Sequence, residues 1–195
     1  MENDQYEQYI EMPEKFHSFS TGTLFDRCIE CDKYLLDADT EYYIEKAIKR
    51  YDGFSAQDVI FEYAICIDCV ERIRKEMSEE SLKKIEDFFV HNMDMERRMN
   101  LVNTNPGNPD VWTSECLIKG TKVNQLREFQ LYAHCKGEKL DMRESPYLLG
   151  NEALDEIQHL LSQKTLDELN GFRDRNFGPP PELEETLPYR RVLLV

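Results

Sequence analysis

Four of the six cysteines stand in two pairs with the same internal spacing, Cys28-Ile29-Glu30-Cys31 and Cys66-Ile67-Asp68-Cys69. Two residues between paired cysteines let both sulfurs converge on one ion, and zinc in structural sites takes four tetrahedral thiolate or imidazole ligands. Two such pairs close the shell. The chemistry implied is one structural zinc ion held by Cys28, Cys31, Cys66 and Cys69. A CxxC pair is also the thioredoxin-type redox motif, and iron or an iron-sulfur cluster is a further use for thiolates. Two pairs separated by residues 32 to 65, with no strand-helix-strand context, favour metal over redox. Glu30, Asp32 and Asp68, beside the pairs, read as surface acids rather than ligands.

Positioning those sulfurs takes a short series of elements. The β-branched and aromatic segments Glu41 to Lys46 and Val59 to Ala64 read as strands, separated by the turn formers Tyr51-Asp52-Gly53-Phe54. After the second pair the period changes: Val70, Ile73 and Met77 fall on one helical stripe, so a helix starts near Cys66 and Cys69, where its dipole favours their thiolate form. Ser78 reads as the N-cap of a second helix, with Glu79 and Glu80 in its first turn and Leu82, Ile85, Phe88 and Phe89 facing inward.

The run of turn formers from Asn103 to Pro109 marks a connection. Beyond it, Glu128 to Ala133 reads as a strand, and Asn151 to Leu161 and Ser162 to Phe172 as helices. Gly178-Pro179-Pro180-Pro181 cannot continue a helix. The apolar end, Arg190 to Val195, could add to a sheet edge.

Cysteine pair, hairpin, cysteine pair, helix: over Phe25 to about Met77 this order resembles the treble-clef class of zinc fingers. The resemblance implies a structural zinc on the same four cysteines. It names an architecture and carries no activity, since the class includes nucleic-acid binders, nucleases and protein-interaction modules.

The second half repeats the first in weaker form. Tyr63-Ala64-Ile65-Cys66 matches Tyr132-Ala133-His134-Cys135; Ser78, Ser81, Leu82, Ile85 and Phe88 match Ser162, Thr165, Leu166, Leu169 and Phe172; and Cys116 stands where Cys28 does. In that alignment Lys119 replaces Cys31 and Glu138 replaces Cys69, so the copy cannot rebuild a four-thiolate site. A mixed set of Cys116, His134, Cys135 and His159 matches no ligand spacing and reads as buried or surface residues without metal. The fold class expected is α+β. It comprises an N-terminal arm (1–22), a treble-clef-like zinc domain (23–102), a connection (103–110), a degenerate metal-free second copy (111–177) and a Pro-rich tail (178–195).

A net charge of -15, from 39 acidic and 24 basic residues, repels a phosphate backbone. The short basic runs at Arg72 to Lys75 and Glu96 to Arg98 are flanked by acids and read as solvated helix faces. Nucleic acid is therefore not the expected partner. The chain start lacks a basic and apolar signal pattern and no segment is apolar enough to span a bilayer, so a cytoplasmic protein with no membrane partner is expected.

No GxSxG, HExxH, Walker or dinucleotide motif occurs, and neither cysteine pair follows the proline of the zinc deaminases. His91, the only hint of a nuclease site, reads as a helix-end residue. The expectation is a protein-interaction or scaffold protein with an unknown protein partner, the alternative being a metal-dependent or thiol-redox enzyme.

Overall fold

A computed structural model describes residues 8–51 and 57–178. Its centre is one antiparallel sheet. β1 (Tyr9–Glu11), β2 (Glu41–Arg50), β3 (Gln57–Cys66), β4 (Glu128–Lys136) and β5 (Lys139–Asp141) run in the order β1-β5-β4-β2-β3, and β6 (Tyr147–Gly150) also pairs β4. β2 is bonded on both edges, to β3 and, from Glu41↔Lys136 to Lys49↔Glu128, to β4. Strands from both sides of the 103–110 connection thus share one hydrogen-bonded ladder. A register shift at Ala47/Ile48 bends the β2-β3 hairpin; of the turn expected at its tip, only Tyr51 lies within the described residues.

Residue alternation sends Tyr43, Glu45, Tyr63, Tyr132 and Tyr147 to one face and Tyr42, Ile44, Lys46, Ala64 and Leu131 to the other. Helices cover the first face. α1 (Ile67–Glu76) follows β3 directly with Cys66 as its N-cap, and α2 (Glu79–Asn92) begins at the predicted cap, where Ser78 accepts the Ser81 N–H. α3 (Met95–Thr104) and α4 (Pro109–Trp112) lead into the second half, where α5 (Asn151–Leu160) and α6 (Gln163–Phe177) complete the layer. Phe172 and Phe177 of α6 pack on Tyr63 at ring separations of 5.3 and 5.9 Å.

The N-terminal segment lies on the second face. Met12 and Phe16 are buried. Lys46 Nζ donates to the His17 carbonyl at 2.6 Å, and Glu62 accepts the N–H groups of Phe19 and Ser20. The expected strands and helices in both halves are present, each differing by a few residues in length; β1, α3, β5 and β6 carry too short or too weak a period to be read from sequence. Among the described residues no helix is long and apolar enough to cross a membrane. The C-terminal segment Arg190 to Val195 lies outside the described residues.

Candidate metal centre

Cys28 and Cys31 sit in a tight turn closed by an antiparallel bridge between Arg27 and Tyr34. Within it the Cys28 N–H donates to the Lys33 carbonyl, the Asp32 N–H donates to the Cys28 carbonyl, and Asp32 takes a φ of 59°. The left-handed conformation, which Asp tolerates better than most residues, folds the chain back so that both sulfurs of the pair point the same way. The Ile29 N–H donates to the Ala64 carbonyl at 2.9 Å and fastens the turn to β3. That brings the first pair against Cys66 and Cys69 at the β3-α1 junction.

The four sulfurs all lie within 4.8 Å of one another. Cys31 Sγ and Cys66 Sγ are 3.7 Å apart; bonds of about 2.3 Å to a tetrahedral zinc require sulfurs about 3.8 Å apart, so this pair already stands at the separation the ion needs. Cys28, Cys66 and Cys69 are buried and Cys31 is exposed. Cys28 Sγ accepts the Cys66 N–H at 3.3 Å, and Arg72, one helical turn beyond Cys69, approaches its sulfur at 3.6 Å. Both contacts offset negative charge on thiolates. Burial pushes the Cys66 thiol up to about 11 and raises Cys69 as well. At Cys31 burial also acts upward, but the Lys33 N–H and the neighbouring thiols outweigh it and the thiol lies below its ordinary value. Burial thus disfavours the charged form of Cys66 and Cys69, and a bound cation would supply the charge that deprotonates such thiols.

Two residues around this cluster do more than sequence reading expects. Arg72 lies on the solvated face expected of it, its side chain 60% exposed, and from there, three residues after Cys69 on one helix, it also reaches Cys69 and Glu30. Glu30, expected as a surface acid, has a side chain only 8% exposed and accepts from Arg72 Nη2 at 2.9 Å and Asn176 Nδ2 at 2.7 Å. Asn176 and Arg175, which also reaches Glu30 at 3.4 Å, belong to α6. The last helix therefore clasps the metal-side turn.

A second turn repeats the first bond for bond. Glu115 bridges Lys122, the Cys116 N–H donates to the Thr121 carbonyl, the Gly120 N–H donates to the Cys116 carbonyl with Gly120 at a φ of 66°, and the Leu117 N–H donates to the Leu148 carbonyl. Cys116 Sγ accepts the Gly150 N–H at 3.3 Å, as Cys28 Sγ accepts that of Cys66. These bonds put Lys119 at the place of Cys31, as the sequence suggested, but Gly150 and Ala153 at the places of Cys66 and Cys69. The sequence pairing of Tyr63–Cys66 with Tyr132–Cys135, and of Cys69 with Glu138, is therefore out of register: β4 occupies the position of β2, and β6 that of β3. Lys119 Nζ pairs with Glu156 at 2.6 Å.

The mixed set is not assembled. His134 and Cys135 are neighbours on β4 and face opposite sides of the sheet; Cys135 is fully buried opposite Tyr42, and His134 stacks on Tyr43 between Glu41 and Asp141. His159 and His91 each bond a carbonyl of their own helix at 2.6 Å. Among the described residues, the four-cysteine cluster is the group of side chains placed to hold a metal ion. Comparison with models of known protein families, with curated proteins and with solved structures finds no match.

Proposed function

We propose that the chain is a zinc-stabilised protein-interaction or scaffold protein, in which Cys28, Cys31, Cys66 and Cys69 hold one structural zinc ion in a treble-clef-like unit. The observation that carries this reading is the closed set of four thiols, three of them buried, with spacing that suits a tetrahedral ion and leaves no ligand position for water or substrate. When bound, the ion supplies charge neutralisation and a cross-link between the Cys28 turn and the start of α1. Metal-binding free energy then becomes folding free energy for residues 23–102.

The second unit, residues 111–177, is a duplicate that has lost its metal. Support comes from the repeated turn hydrogen bonds and from the Lys119–Glu156 ion pair where a ligand stood. The acidic surface fits a protein partner rather than a nucleic acid, and a cytoplasmic setting suits free thiols.

Elemental mass spectrometry of protein purified without added metal tests the site. One zinc per chain in the parent and little in Cys66→Ser is the expected result. Iron with visible absorption, or no metal, would replace this reading with a redox one.

A further inference from the structure

On the helix-covered face of the sheet, one cross-strand row runs Tyr63, Glu45, Tyr132, Tyr147 through β3, β2, β4 and β6. The adjacent row places Tyr43 beside Ile65 and His134. Tyr132 stacks on Tyr147 with ring centroids 5.1 Å apart, and Tyr43 on His134 at 4.8 Å, so strands from both halves of the chain build one aromatic wall. The wall lines a cavity of about 290 Å³, closed on the helix side by Val70 and Arg74 and near the β5-β6 connection by Glu144 and Ser145. It shares no lining residue with the cysteine cluster.

Arg74 and Glu144 are exposed at the rim of this cavity and opposite in sign, and among the described residues neither side chain makes a hydrogen bond or an ion pair. Both charges reach the same ring: burial raises the Tyr43 phenol, Arg74 acts against that rise, and Glu144, after Glu41, adds to it. The other charged groups of the lining are already engaged. Glu45 is buried and accepts the Tyr63 hydroxyl, and His134 lies between the acids Glu41 and Asp141. The cavity therefore offers ring faces inside and one unpaired charge of each sign at its mouth.

We infer that this cavity binds a free aromatic α-amino acid, its ring on the tyrosine wall, its carboxylate on Arg74 and its ammonium on Glu144. A guanidinium takes a carboxylate through two parallel hydrogen bonds, and both contacts to the ligand are charge-assisted. An amine alone would leave Arg74 unpaired, and an acid alone would leave Glu144 unpaired. The interior calls for an uncharged group, and a ring packs on tyrosine and histidine faces offset or edge-on with a gain beyond its buried area. The volume lies at the small end of ligand cavities, which suits one ring-bearing side chain. A residue inside a peptide lacks the two free charges, so the ligand is the amino acid itself. The inference stands apart from the metal reading and survives its failure.

Equilibrium dialysis against the full chain tests it with L-phenylalanine and L-tryptophan, and with two fragments: phenethylamine, which lacks the carboxylate, and 3-phenylpropanoate, which lacks the ammonium. At least one of the amino acids should bind about tenfold or more tighter than either fragment. Arg74→Gln should weaken that amino acid about tenfold and leave phenethylamine unchanged, and Glu144→Gln should weaken it similarly and leave 3-phenylpropanoate unchanged. Both positions are exposed, so circular dichroism and melting of the two variants should match the parent. L-alanine, which has both charges and no ring, should not be retained. Retention of neither aromatic amino acid, a fragment that binds as tightly as the amino acid, or unchanged amino-acid binding in either variant overturns the inference.

Discussion

The hydroxyls of Ser78 and Ser162 lie 2.8 Å apart, and each serine caps its own helix. The relation is reciprocal: the Ser78 N–H donates to Thr165 Oγ1 at 3.0 Å, and the Ser162 N–H donates to Ser81 Oγ at 2.8 Å. Two helix starts, one from each half, therefore satisfy each other's exposed donors in a buried joint where Ser81 and Thr165 have no solvent exposure. Removing one cap should cost about 1 kcal/mol. Because the groups share one network, Ser78→Ala and Ser162→Ala should couple by at least about 0.5 kcal/mol in a double-mutant cycle followed by urea denaturation. Additive effects would show that the joint is not a unit.

The shared ladder of β2 and β4 makes metal loss a problem for the whole chain. Chelation should lower the melting temperature of both halves together, followed by circular dichroism for the sheet and by Trp112 fluorescence for the second half. Cys66→Ser should behave like the chelated parent. Cys116→Ala should keep its metal, yet lose about 1–3 kcal/mol of stability, because two N–H groups, of Lys119 and Gly150, lose their acceptor in a buried turn. Two separated transitions after chelation would mean that the halves fold apart.

Glu30 links the metal-side turn to α6, so its effect should be felt at the metal. In Glu30→Ala, Arg72, Arg175 and Asn176 lose a common acceptor. We expect a loss of about 1–3 kcal/mol in stability and faster transfer of zinc to a chromogenic chelator. An unchanged transfer rate with lowered stability would confine Glu30 to holding the helix.

Much of this was legible in the sequence, for local reasons. The cysteine spacing, the Ser78 cap and the period change after Cys69 each need only a few neighbouring residues. What was not legible depends on pairing. β6 offers only Tyr147 to Gly150, with no β-branched residue and a proline just before it, so the second strand of the second half left no signal. With it missing, Tyr132–Cys135 was matched to β3 instead of β2. Glu45 and Glu30 carry the composition of surface acids, and only the partner strands and the end of α6 bury them.

Acid should weaken the attachment of the N-terminal segment. Burial acts to raise the Glu62 carboxyl, but the N–H groups of Phe19 and Ser20 and the Lys46 ammonium outweigh it, and the group lies below its ordinary value of 4.5. A carboxyl held low in the folded state contributes stability that is present above the unfolded value and is lost as pH falls through the folded one. Stability should therefore fall as pH drops below about 4.5, and Glu62→Gln should flatten that decline while lowering stability at neutral pH. An acid limb of unchanged slope in the variant would assign the loss to other carboxyls, Asp141 being the next candidate because Arg143 holds it low against the upward pull of burial.

If the second half descends from a metal-binding unit, the site should be recoverable at three positions. Cys116 is already in place, and the turn around it keeps the bonds of the Cys28 turn. Gly150 has φ -80° and ψ 162°, close to the -67° and 153° of Cys66, so a side chain there meets no backbone strain. An added Cβ would come within 2.9 Å of a Leu126 methyl, the far end of a flexible side chain that can rotate away. Lys119→Cys also frees Glu156 of its ion pair, at a helix surface where water takes over. The triple variant Lys119→Cys, Gly150→Cys, Ala153→Cys should bind two zinc ions per chain by elemental mass spectrometry, and Cys116→Ser added to it should return the count to one. A triple variant that folds, as judged by circular dichroism, and still binds one ion would mean that the two turns share hydrogen bonds without sharing a metal-binding ancestor.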